Sequence, residues 1–250
     1  MTRVLKIGGR AQNDPRLAPA IRTAAEADGI IVVHGGGDEV SALQRRLGLT
    51  PAFHGGRRVT TTADLEIVQM VLSGTANKRL VSTFVTAGIR AVGVSGEDAA
   101  LLVARATARD TLGEVGEPTR VDTALLTLLV AGGYVPVVSP LARDEATGGT
   151  LNVNGDDAAA EIAIALGADE LLLVADVPGV MADSAVIPEL DIERAATLID
   201  NGTARDGMAA KLQAARRAVE RGVARVRIGN IAAIEAATAG TVITLSPTVV

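Results

Sequence analysis

The chain has 250 residues, 48% of them hydrophobic and 21% charged, with a formal net charge of −5 and no cysteine. Such a chain buries a large core, as one α/β unit or two lobes of ordinary size, and extended disorder is excluded. The acidic balance without a Lys/Arg run disfavours nucleic acid and anionic membranes as partners, and the missing cysteines exclude disulfides, thiolate catalysis and zinc held by sulfur.

The opening residues Met1 to Gly9 show no basic segment followed by an apolar run and a cleavage site, so no export signal is read and a cytoplasmic location is expected. Arg3–Ile7 reads as a buried strand ending in Lys6-Ile7-Gly8-Gly9. Two glycines let bare backbone N–H groups approach an anion with an ammonium close by, although a snorkelling lysine before a tight turn is the commoner meaning of the pattern alone.

A helical segment, Leu17–Ala27, leads to the apolar run Ile30–Val33 and then to His34-Gly35-Gly36-Gly37, ahead of a helix over Asp38–Leu47. Three glycines between a strand and a helix N-terminus form an anion nest, where unpaired N–H groups and the helix dipole favour negative charge. The run is neither G-x-G-x-x-G nor G-x-x-x-x-G-K-[ST]. His34 has no partner at metal spacing and reads as a structural or substrate-lining residue.

Gly56-Arg57-Arg58-Val59-Thr60 reads as a loop before a long helical segment, Thr62–Ala87, expected as two helices broken near Gly74. Adjacent arginines are usually surface charge; a guanidinium here would grip a carboxylate bidentately. A strand at Ala91–Val94, a helix at Val121–Ala131 and a strand at Val135–Val138 follow. Ala124 to Ala142 is uncharged over the length of a membrane span, but Gly132-Gly133 and Pro136 break it into helix, turn and buried strand.

Asn152-Val153-Asn154-Gly155-Asp156 stands at the mouth of a helix over Asp156–Leu166. A lone Asp156 there is an ordinary N-cap, whereas the two alternating amides suggest a polar wall facing a ligand. The last third holds strands at Glu170–Val174 and Ala224–Ile228 and a helix over Met208–Arg221 that carries Lys211. Gly29, Gly48, Gly88, Gly167 and Gly222 sit where left-handed helix C-caps are expected. Strands apolar at consecutive positions, alternating with helices, predict a mainly parallel sheet covered on both faces, with ligands beyond the carboxyl ends of its strands. No H-E-x-x-H or G-x-S-x-G occurs and there are two histidines, which disfavours zinc hydrolysis and Ser-His chemistry.

Taken in order, KIGG at Lys6 to Gly9, HGGG at His34 to Gly37, GRRVT at Gly56 to Thr60, SGTANKRLV at Ser73 to Val81, NVNGDDAAAEIA at Asn152 to Ala163, LLLVADVPGV at Leu171 to Val180 and DGMAAK at Asp206 to Lys211 resemble the acetylglutamate kinases of the amino-acid-kinase family over nearly the whole chain. The resemblance implies a three-layer αβα sandwich about a mainly parallel sheet. Residues 1–166 would form a lobe for the amino-acid substrate and for dimerisation, and residues 167–250 a lobe for ATP. It implies transfer of the ATP γ-phosphoryl group to the γ-carboxylate of N-acetyl-L-glutamate, in arginine biosynthesis, with magnesium carried on the ATP phosphates, no metal held directly by protein and no prosthetic group.

By position, Lys6 and Lys211 would stabilise the migrating phosphoryl group, Asp156 would orient both ammonium groups, and Gly9 and Gly36 would donate backbone hydrogen bonds to it. Arg58 and Asn152 would hold the substrate α-carboxylate, with Gly36 and Gly37 beside its acetamide. Asp176, Val177, Pro178, Gly179, Val180, Met181, Thr203, Ala204, Arg205, Lys6 and Lys211 would line the nucleotide site. Gly155 stands where the family often has alanine. The first strand starts close to Met1, without the extra N-terminal helix of arginine-inhibited hexameric members, so a homodimer without arginine feedback by that route is expected. A kinase acting on a carrier-protein-linked aminoadipate or glutamate shares the frame, as would a catalytically silent amino-acid or nucleotide sensor; HGGG with GRRVT favours the free acetylated amino acid, and the presence of both lysines favours the enzyme.

Overall fold

A computed structural model describes residues 1–182 and 185–246. Eight strands make the main sheet, in the spatial order Glu189–Asp191, Thr241–Thr244, Val226–Gly229, Glu170–Val174, Thr2–Ile7, Gly29–His34, Val135–Ser139 and Ala91–Ser95. Every neighbouring pair is parallel except Val226–Gly229 with Thr241–Thr244. The opening strand is central, registering Lys6 with Leu173 on one side and Val33 on the other.

Helices cover both faces, which is why the central strands are apolar at consecutive positions. The two-residue strand period sends Leu5 and Ile7 into a core shared with the helix Leu17–Ala27 and with Phe84. Val4 goes the opposite way, into a core with the helices Gly155–Leu166 and Asp206–Glu220. Lys6 shares the parity of Val4, so at the end of its strand it emerges at the N-terminus of Gly155–Leu166. A second sheet of four strands, Leu102–Ala106, Val115–Val121, Leu141–Asp144 and Thr150–Val153, closes on itself. It packs through Val115–Val121 against the helix Gly155–Leu166.

Several expectations are corrected. Thr62–Ala87 is not broken at Gly74: helices Thr62–Gln69 and Asn77–Thr86 are joined without interruption by a π-helical segment, Met70–Ala76, that absorbs the glycine. The helix expected from Val121 begins at Ala124, because Val121 still pairs with Leu102. Arg57 and Arg58 lie on a short strand of a hairpin, opposite Phe53–His54, not in a loop. Four of the five expected C-cap glycines have positive φ, but Gly29 begins a strand, where an added Cβ would press on Val130. The strand expected over Ala224–Ile228 starts at Val226, two residues late. The stretch Ala124 to Ala142 resolves as helix, turn and strand, and among the described residues no helix is long and apolar enough to cross a membrane.

A buried ion cluster ties the amino ends of the central strands together. Glu170 accepts from Arg3 Nε at 2.7 Å and from Arg227 Nε at 2.6 Å. Arg227, 1% exposed, also donates to the carbonyls of Ala233, Ala236 and Ala239, and Arg3 donates to that of Ile234, so the cluster latches the segment after the penultimate strand.

Candidate active site

The site lies where parallel sheets bind ligands, in the crevice beyond the carboxyl ends of the central strands. Asp156 is its electrostatic centre. Asn154, not Asp156, caps the helix Gly155–Leu166: its side-chain oxygen accepts from the Asp156 N–H at 2.8 Å and from the Asp157 N–H at 3.4 Å. The Asp156 carboxylate is thereby free to meet Lys6 Nζ at 3.1 Å and Lys211 Nζ at 3.1 and 3.2 Å.

All three side chains are buried. Burial pushes the Asp156 carboxyl up, but the Lys6 and Lys211 ammonium groups outweigh it and hold the pKa below the ordinary value. For Lys211, burial first and the Lys6 charge second bring the pKa down to about 8, against the counter-pull of Asp156. Two ammonium groups against one carboxylate leave this buried cluster one positive charge in excess, so an anion relieves it. Lys6, Gly8, Gly9, Asp38, Asp176 and Lys211 share the cavity above it. Among the described residues, no group of three or more His, Cys, Asp or Glu side chains is arranged to hold a metal.

An adjoining cavity of about 200 Å³ is lined by Gly36, Gly37, Arg58, Leu72, Val115 and Asn152. Arg58 is fixed from behind: Nη1 donates to Gln44 Oε1 at 2.6 Å, and Nη2 donates to the Gly37 carbonyl at 2.7 Å and to Ser41 Oγ at 2.8 Å. Gln44 in turn donates to Asp64 at 2.6 Å, and Asp64 forms a capping box with Thr61. Of the five N–H groups of the guanidinium, three are engaged in this way, which leaves Nε and one Nη1 hydrogen without a partner among the described residues. Phe53 covers it, with its ring 4.8 Å from the guanidinium carbon. Burial lowers the Arg58 pKa, though it remains a cation. Asn152 donates to Thr60 Oγ1 at 3.0 Å, which leaves its carboxamide along the cavity wall. A Cβ on Gly36 would stand 2.6 Å from Leu72 Cδ2, on the π-helical segment, so a side chain there would crowd the loop against the cavity wall.

Of the residues marked in the sequence, the structure brings Lys6, Gly9, Asp156, Asp176, Val177 and Lys211 to one cavity and Gly36, Gly37, Arg58 and Asn152 to the next, with Gly155 between them. The chain leaves the first cavity after Val177: Val180 is buried, with its N–H donating to Thr241 Oγ1 at 2.8 Å, and Met181 pairs with Val186. Thr203 is exposed, Ala204 is buried, and Arg205 stands at the N-cap of the helix bearing Lys211. His34 is wholly buried and neutral, its pKa lowered to about 4 by burial. Gln44 and Ser41, which hold Arg58, and Asp64, which holds Gln44, are residues that the sequence reading does not single out. The Thr61-x-x-Asp64 pattern was the available signal for the last of them.

The amino acid kinase family pattern matches residues 1–230. The chain belongs to the amino acid kinase family. It is accordingly an ATP-dependent phosphotransferase. It is 42% identical over 236 residues, 92% of each chain, to a protein named acetylglutamate kinase from Chloroflexus aurantiacus. Among solved structures, smu.665 from Streptococcus mutans UA159 matches with a TM-score of 0.89 and 29% identity over 97% of this chain and 98% of that one. Carbamate kinase from Giardia lamblia matches with a TM-score of 0.70 at 16% identity over 98% of each, a likeness of fold. The αβα sandwich about a mainly parallel sheet is thus the architecture of this family.

Proposed function

We propose that the chain phosphorylates the γ-carboxylate of N-acetyl-L-glutamate with ATP, giving N-acetyl-L-glutamyl 5-phosphate for arginine biosynthesis. The observation that carries this reading is the pairing of a cavity lined by Arg58 and Asn152 with a buried Lys6–Asp156–Lys211 cluster that carries an excess positive charge. Homology to proteins named for this activity supports the choice of substrate.

Phosphoryl transfer asks for positioning and for charge stabilisation of the equatorial oxygens. In this reading Lys6 and Lys211 face the transferring group, Asp156 orients them, and the Gly9 and Gly36 N–H groups donate to it. Arg58 and Asn152 hold the α-carboxylate so that the γ-carboxylate attacks in line, with Gly36 and Gly37 beside the acetamide. The attacking carboxylate is already ionised at neutral pH, so no general base is needed. Nucleotide would lie along Asp176 to Met181, Thr203 to Arg205 and the lysines. Magnesium would be carried on the ATP phosphates, where it would neutralise part of their charge. Residues 1–166 would serve the amino acid and residues 167–250 the nucleotide, a functional division, since the main sheet and one core run through both.

The reading is tested by trapping acyl phosphate with hydroxylamine in the presence of ATP and magnesium, with N-acetyl-L-glutamate, L-glutamate, L-aspartate and N-acetyl-aminoadipate in parallel. Product with N-acetyl-L-glutamate alone is expected; silence with all four would transfer the assignment to a carrier-linked substrate or a sensor. Arg58→Ala is expected to weaken N-acetyl-L-glutamate binding by roughly 100-fold, as loss of two hydrogen bonds to a charged group would do. A Michaelis constant like that of the parent protein would remove Arg58 from the site.

The pKa of Lys211 gives a pH limb. Because catalysis needs the ammonium form, kcat/KM should fall as pH rises through about 8. Bound phosphates favour that ammonium, so the corresponding limb in kcat should lie at higher pH. A kcat/KM flat from pH 7 to well above that value would contradict the assigned role. We also propose a homodimer through residues 1–166, where the edge strand Ala91–Ser95 is half-buried and Leu128 is 70% exposed. Light scattering after size exclusion should give twice the chain mass, and a hexamer would overturn the dimer.

A further inference from the structure

We infer that His34 and Gln12 are positioning residues that aim the Gly36 N–H at the transferring phosphoryl group, an inference that rests on the proposed reaction. The Gly35 carbonyl oxygen accepts two side-chain hydrogen bonds, from Gln12 Nε2 at 2.9 Å and from His34 Nδ1 at 2.8 Å. That oxygen and the Gly36 N–H belong to one peptide unit, and no peptide bond is cis among the described residues. In a trans peptide the two point in opposite directions, so anchoring the carbonyl outward turns the N–H inward. Gly36 lines the cavity, and among the described residues its N–H has no acceptor.

Each anchor is itself oriented. Asn77 Nδ2 donates to the Val137 carbonyl at 2.8 Å and to His34 Nε2 at 3.1 Å, which makes Nε2 the acceptor and places the imidazole proton on Nδ1. The amide oxygen of Gln12 accepts from Arg79 Nη2 at 3.4 Å, and Arg79 is held by both Glu39 oxygens at 2.6 and 2.7 Å, which directs Nε2 toward Gly35. Gln12, His34 and Asn77 are all buried. A glycine pair has little intrinsic preference for either peptide orientation, so these two bonds decide it. A carbonyl turned inward would instead set an acceptor against the phosphoryl oxygens.

The test uses H34L, Q12L, the H34L/Q12L double variant and H34N, whose amide nitrogen falls where the imidazole Nδ1 stands. Loss of one preorganised donor predicts a fall in kcat on the order of 100-fold for H34L and Q12L, with Michaelis constants for MgATP and N-acetyl-L-glutamate little changed. H34N should recover most of that turnover. Crystal structures of the unliganded double variant should show the Gly35–Gly36 peptide turned over. Unchanged kcat in folded H34L and Q12L, equal losses in H34L and H34N, or an unturned peptide would each overturn the inference. If H34L does not fold, Q12L gives the same comparison from the other anchor. If the parent protein fails to phosphorylate N-acetyl-L-glutamate, the proposed reaction falls, and the peptide orientation in the double variant then decides the positioning role by itself.

Discussion

Replacing Lys211 by alanine is expected to lower kcat by about a thousandfold, with a much smaller loss of nucleotide affinity. Its ammonium is one of two in contact with Asp156 and borders the cavity where the phosphates would lie. Ground-state ATP keeps many other contacts, whereas the charge that develops on the equatorial oxygens during transfer has few alternatives. The substitution also leaves Asp156 with the single ammonium of Lys6, which cancels the positive excess of the cluster. The two losses act through one network, so Asp156→Asn combined with Lys211→Ala should cost far less than the sum of the separate effects. Single-turnover rates with saturating ATP, set beside calorimetric binding of a non-hydrolysable analogue, separate the two quantities. Equal losses in rate and in affinity would reduce Lys211 to a nucleotide-binding residue.

Glu170→Ala is expected to destabilise the fold by about 3–5 kcal/mol, the cost of breaking a buried charge network by removing one partner. Among the described residues, Glu170 is the one carboxylate that pairs with both Arg3 and Arg227, and Arg227 is almost wholly buried. Glu170→Gln keeps an acceptor oxygen and should lose less. Urea unfolding at neutral pH measures both, and a change below about 1 kcal/mol for alanine would mean that the backbone carbonyls, with Asp28 beside Arg3, satisfy the arginines without Glu170. Burial raises the Glu170 pKa, but the Arg227 hydrogen bond and the two guanidinium charges outweigh it, so the folded-state value lies below the ordinary one. The carboxylate therefore contributes stability above its ordinary pKa, and the contribution is lost as pH falls through the lowered value. The cluster sits at the amino ends of the strands, opposite the site, so kinetic constants of the folded variant should change little.

The central strands and the long helices were legible because burial on both faces imposes long apolar runs and because helices end at glycines such as Gly48, Gly88, Gly167 and Gly222. The second sheet was not. Its strands are four to seven residues long and include Arg105, Glu117, Pro118 and Arg120, a mixed pattern that closure on itself permits and periodicity does not reveal. The same holds for the hairpin Phe53–Arg58, two residues to a strand. The join at Gly74 was not legible because glycine marks helix breaks on average, whereas a π segment tolerates it once neighbours pack Val71 and Leu72.

Local sequence determined which chemical groups stand after which strand: a lysine and two glycines after the first, three glycines after the second, and an Asn-x-Asn-Gly-Asp entry to a helix. Those are short-range facts, set by strand propensity, glycine freedom and capping. What the tertiary structure decided is which of those groups meet. Lys6, Asp156 and Lys211 are separated by 150 and 55 positions along the chain, and nothing local required one carboxylate to lie 3.1 Å from both ammonium groups. That meeting follows from the parallel register that brings strand ends to one edge, and from Asn154 taking the capping role and so releasing Asp156. Likewise Arg57-Arg58 reads as a surface pair of charges in sequence, whereas in space Arg58 is a buried, buttressed cation, because Gln44, Ser41 and the Gly37 carbonyl come to it from the helix Gly37–Arg46. Long-range contact of this kind depends on chain closure and on packing of whole elements, and no window of sequence contains it.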